Sequence, residues 1–136
     1  MKNLLLAPLI LVSLIGCGRD HYYTKAGCVT FVVNDLPGNV LAQEAQQAAH
    51  SLGYKLIPTQ NQDQFTLHFN ASEPERSLLL ASGLRSNAYF ISADVYDAAD
   101  QVKYGLDPSK MFSLLDARLP PGSLELESTT CAERPN

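Results

Sequence analysis

Apolar positions along this chain recur with two different periods, and the switches between them mark out its elements. Cys28 to Asn34 (CVTFVVN) is dense in β-branched and aromatic residues and reads as a central strand. Asp35-Leu36-Pro37-Gly38 breaks it. Asn39 then stands as a cap, and Leu41, Ala45, Ala48 and Leu52 follow at spacings of four, three and four. That stripe predicts a helix from Val40 to Leu52, closed by Gly53 just past its end. Tyr54 to Pro58 reads as a second strand and Asn61-Gln62-Asp63 as a turn. Phe65-Thr66-Leu67-His68-Phe69 alternates strictly, giving a third strand with His68, Thr66 and Asn70 on the face opposite Phe65, Leu67 and Phe69.

Ser72 to Ser82 supports two readings. Ser72 and Glu75 have capping-box spacing and Gly83 could end a short helix, whereas Leu78-Leu79-Leu80 could equally be a strand of a meander; the helix is the expectation adopted. Asn87 to Tyr96 places Tyr89, Ile91, Ala93 and Val95 on one face, with Phe90 and Tyr96 on the other. Asp97 to Asp100 reads as a turn into a second hairpin strand, Gln101 to Tyr104. Asp107-Pro108 opens a helix, Asp as cap and Pro at the first position, holding Met111, Leu114 and Leu115 and stopping before Pro120-Pro121-Gly122. Leu124 and Leu126 alternate with Glu125 and Glu127 in a final strand. The order implies an α+β domain: a small, mainly antiparallel sheet with two or three helices packed on it. No internal repeat or low-complexity linker divides it.

The first sixteen residues have a different character. Met1-Lys2-Asn3 is a short basic start and Leu4 to Ile15 an almost wholly apolar run. A bilayer span needs about 20 apolar residues, so this run is an export signal rather than a transmembrane helix. Leu14-Ile15-Gly16-Cys17 at its end resembles the lipobox of bacterial lipoproteins. The resemblance implies cleavage before Cys17, a diacylglyceryl group on its thiol and an acyl chain such as palmitate on the new amino terminus. It implies a lipid bilayer as the first partner. Gly18, rather than Asp, follows the cysteine, so the resemblance favours the outer membrane facing the periplasm over the inner membrane. On this reading residues 1–16 are the leader, 17–27 a lipidated tether, 28–131 one domain and 132–136 a loose tail.

Without the leader, 9 basic side chains face 14 acidic ones, a net charge of −5 over 120 residues. No Lys/Arg cluster is present to neutralise phosphates, which argues against a nucleic-acid partner. Once Cys17 is acylated, Cys28 and Cys131 remain, and an even pair in an exported domain reads as a disulfide. Two free thiols or an exchange-active pair are the alternatives, though neither cysteine lies in a C-x-x-C motif.

Motifs of catalysis are missing: no H-E-x-x-H, G-x-S-x-G or phosphate-binding glycine pattern occurs. His50 points away from the apolar stripe of its helix and reads as solvated. His68 is a ligand or general-base candidate only if a carboxylate comes near, and otherwise a polar outer-face residue. Asp94, Asp97 and Asp100 have the oxygen chemistry for calcium but not the alternating spacing of a calcium loop. Glu125 and Glu127 share a strand face that reads as solvent-facing. His68, Phe90 and Tyr96 mark a candidate binding face. No metal or cofactor is expected. The reading is a non-enzymatic envelope lipoprotein that binds another envelope protein. An anchored inhibitor or immunity/exclusion protein is the first alternative, and a small enzyme or ligand-binding domain using His68 the second.

Overall fold

The computed structural model describes residues 23–58 and 65–130. Six strands form one antiparallel sheet: β1 (Thr24–Val33), β2 (Lys55–Ile57), β3 (Thr66–Ser72), β4 (Glu75–Ser82), β5 (Ala88–Val95) and β6 (Leu124–Ser128). Their order across the sheet is β2-β3-β4-β5-β1-β6, so β1 is an interior strand, as its composition predicts. β1 starts at Thr24, four residues ahead of the expected start, and Thr24 to Gly27 therefore belong to the sheet rather than to a tether. Two principal helices, α1 (Gly38–Ser51) and α3 (Asp107–Arg118), pack on one face, with the one-turn α2 (Gln101–Tyr104) beside them. The architecture is α+β, as the pattern of elements implies.

Alternation along the strands decides which face the helices cover. Val29, Phe31 and Val33 of β1, Phe69 of β3, Leu78 and Leu80 of β4, and Ile91 and Ala93 of β5 form the buried side. α1 meets them through Leu41, Ala45, Ala48 and Ala49, and α3 through Met111 and Leu115. The small residues let α1 lie close on the sheet, and Leu52 is only half-buried at its end. Phe31 stacks on Tyr89 at 6.0 Å and tilts against Phe112 at 5.3 Å, filling the far end of the core. Between the helices, Arg118 donates to Glu44 at 2.6 Å and also reaches Gln47.

Several local expectations are corrected. α1 begins one residue before Asn39: the amides of Val40 and Leu41 donate to the Pro37 carbonyl, and no side chain caps the helix. Gly53 does end it, at φ +91°. Ser72 to Ser82 is not helical. β3 and β4 form a hairpin across Glu73-Pro74, with Ser72 opposite Glu75, and Leu78 and Leu80 fill the core from β4. Gln101 to Tyr104 is helical rather than a hairpin strand, because β5 already pairs with β4 on one side and β1 on the other. Asp97 caps the preceding turn by accepting from the Ala99 amide at 3.0 Å. The expected turn at Asn61 to Asp63 lies outside the described residues, as do Cys17 and Cys131.

Candidate binding face

Among the described residues all the helices lie on one side, which leaves the opposite face of the sheet to the alternate residues of each strand. Register aligns these residues in rows. One row runs Ile57, His68, Leu79, Ser92, Cys28. The next runs Lys55, Asn70, Ser77, Asp94, Lys25, and a third runs Thr66, Ala81, Phe90, Thr30, Ser128. His68 and Phe90 therefore share this helix-free face two strands apart and in adjacent rows, since Thr66 lies two residues from His68 along β3. His68 is exposed and Phe90 half-buried. Cys28 and Ser92, paired at the same position, are buried on it. Tyr96 lies just beyond β5 and meets the ring of Tyr23 edge to face at 6.1 Å, while the Tyr23 hydroxyl donates to Glu75 Oε1 at 2.6 Å.

Asp94 is the charged group this face treats least kindly. Partial burial raises its pKa above the ordinary 3.8, and Lys25 and His68 only partly offset this by favouring the ionised form. Burial thus disfavours the charged form of this carboxylate, at some cost to stability wherever it is ionised. Asp94→Asn should raise stability at pH 7 by up to about 0.5 kcal/mol, a small figure because the site is half open to solvent. The difference should fade as pH falls through the folded-state pKa and be gone below 3.8, where wild type also carries a neutral side chain. Urea midpoints of the two proteins across that range measure it.

The remaining candidates occupy scattered positions. His50 is exposed and, with Gln43, Gln46, Gln47 and Leu56, lines an open depression of about 400 Å³ between α1 and the edge strand β2. His68 lines neither this nor the neighbouring depression around Gly53, Ala71 and Glu75. Asp94 sits in β5 while Asp97 serves as a cap, and among the described residues no group of three or more His, Cys, Asp or Glu is arranged to hold a metal. Glu125 is exposed, as expected for its strand face. Glu127 pairs with Arg85 at 2.7 Å.

One polar cluster escapes the sequence altogether, and it lies on the helix side. Tyr54, Arg76 and Asp107 are 1%, 8% and 5% exposed. The Tyr54 hydroxyl donates to Asp107 Oδ2 at 2.5 Å and accepts from Arg76 Nε at 3.2 Å, while Arg76 Nη1 donates to the Pro74 carbonyl at 2.9 Å. The guanidinium also lies over the rings of Tyr54 and Tyr104, at 4.8 and 4.3 Å. Burial and the bond to Asp107 push the Tyr54 hydroxyl well above the usual tyrosine range. Asp107 is thus not a side-chain cap: it is the first residue of α3, and its carboxylate is turned inward to Tyr54. The cluster joins β4, the α1–β2 connection and the start of α3. Its signal in the sequence is parity, since Arg76 shares the alternation of Leu78 and Leu80, and that becomes visible only when the segment is read as a strand.

No protein-family model, no curated protein sequence and no solved structure matches the chain. No helix among the described residues is long and apolar enough to cross a bilayer.

Proposed function

We propose that this chain is a bacterial envelope lipoprotein, held in the membrane by acylated Cys17, that works without catalysis as a binding or assembly module for another envelope protein. The observation that carries the binding half is the helix-free sheet face. It presents Ile57, Leu79 and Phe90 in adjacent rows with exposed His68 and half-buried Asp94 among them, on a sheet whose other side is committed to the core. The acidic balance gives the alternative of an anchored inhibitor its support, because a basic target would be steered towards it.

The bridge between Cys28 and Cys131 belongs to the same reading. β6 pairs antiparallel with β1, Ser128 opposite Thr30, and Cys131 stands three residues beyond Ser128 in the sequence while Cys28 stands two before Thr30. Such a link would close a loop of about 100 residues, which the chain-entropy model values at about 4–5 kcal/mol.

Two acyl chains already anchor a protein stably, so Cys17→Ser should abolish both labelling by a fatty-acid analogue and sedimentation with membranes. Labelling of the Cys17→Ser protein equal to wild type would contradict the anchor. Non-reducing peptide mapping that finds Cys28 and Cys131 as separate thiols would contradict the bridge.

A further inference from the structure

We infer that the end of the sheet where the tether enters is a second, non-covalent membrane contact: an apolar rim that rests on the bilayer holding the anchor. The inference deepens the lipid-anchor reading and rests on it. Its occupant is the lipid surface itself, with zwitterionic, net-neutral headgroups.

The rim is built on α2. Gln101 Nε2 donates to the Lys25 carbonyl at 2.8 Å, and Gly105 lies against the backbone of Ala26 and Gly27, so α2 is fixed over the first residues of β1. Tyr104 turns inward over Arg76. Val102 on α2 and Leu106, in the turn between α2 and α3, are left exposed, 89% and 61%. Tyr23, directly before β1, adds an exposed ring with a polar tip, the kind of side chain favoured at the headgroup level. An exposed Val and Leu at the two ends of such a short connection are an ordinary surface feature in isolation. Here they stand at the one place where covalent geometry brings lipid close.

Six residues lead from Cys17 to Tyr23, and fully extended they span about 20 Å. So short a tether gives the rim an effective concentration at the bilayer of the millimolar order, enough for a weak apolar contact to be occupied. Leu84, also fully exposed, lies past the other end of β4, about 25 Å away by strand rise. The acidic groups near the rim, Glu75, Asp97 and Asp100, outnumber the basic Lys25 and Lys103, which favours zwitterionic over anionic lipid.

The chain contains no Trp, so a single introduced indole reports position directly. Full-length lipidated Val102→Trp, Leu106→Trp and Leu84→Trp would each be reconstituted into phosphatidylcholine vesicles, with and without bromine on the acyl chains. The expected result is emission lowered about twofold by brominated lipid at positions 102 and 106, with no change at 84. Protein that floats with the vesicles yet shows no quenching at 102 and 106, or equal quenching at 84, overturns the rim and leaves the anchor standing. Protein that fails to float overturns the anchor, and the rim with it.

Discussion

Replacing Asp107 with Ala should cost about 3 kcal/mol, the largest loss expected from any single polar side chain described above. The substitution does more than delete a hydrogen bond. It takes the acceptor from a tyrosine hydroxyl that is 1% exposed, and it leaves the Arg76 charge, 8% exposed, without the carboxylate at the far side of that hydroxyl. The two rings over Arg76 and the Pro74 carbonyl soften the loss but supply no negative charge. For a domain of this size the cost corresponds to a fall in Tm of about 15 °C, read by thermal denaturation.

Tyr54→Phe tests the same cluster from its centre and adds a pH signature. The folded-state pKa of Tyr54 lies above its unfolded value of 10.0, so its contribution is intact below pH 10 and is lost as pH rises further towards the folded-state value. Wild type should weaken above pH 10 more steeply than Tyr54→Phe. Parallel curves for the two proteins would mean that the hydroxyl is not held neutral by its surroundings.

Gly105→Ala and Gly27→Ala should each destabilise by about 2–3 kcal/mol, for a steric reason. A Cβ on Gly105 would stand 2.6 Å from the Ala26 carbonyl oxygen and 2.8 Å from that of Gln101, both backbone atoms that cannot rotate aside. A Cβ on Gly27 would collide with the Gly105 carbonyl from the other direction. Neither glycine has a positive φ, so the requirement is close approach of α2 to β1 rather than conformational freedom. The two substitutions strain one contact. Combined, they should cost clearly less than the sum of the single losses, which denaturant melts of the three proteins would show. Full additivity would place the two glycines in separate environments.

Much of this architecture is legible in the sequence, and the parts that are not share a cause. β1, β3 and β5 announce themselves by local alternation, and α1 by the Leu41-Ala45-Ala48 stripe, because each buries one face against the core. The same alternation puts His68 and Phe90 on the helix-free side. β4 was obscured by capping-box spacing at Ser72 and Glu75 and by three consecutive leucines, where Leu79 on the outer face breaks the pattern. What makes the segment a strand is non-local, a hairpin partner on one side and β5 on the other. The same holds for Gln101 to Tyr104, whose composition suits a strand but which finds no open edge of β5. Asp107 shows the limit most clearly. Its place before Pro108 suggests a cap, and only the fold brings Tyr54, 53 residues earlier, within reach of its carboxylate. The rows across the helix-free face depend on register in the same way, so its individual residues can be read from the sequence but their neighbours cannot.

The central claim is that an anchored module contacts an envelope protein through the helix-free face. Its most direct test is cross-linked co-purification from detergent-solubilised envelope, comparing full-length wild type with Cys17→Ser, His68→Glu, Phe90→Ser and Leu84→Glu, each at equal abundance. The account predicts one abundant partner for wild type and Leu84→Glu that is lost from the other three. A partner retained by both face variants, or none recovered with wild type, would contradict it.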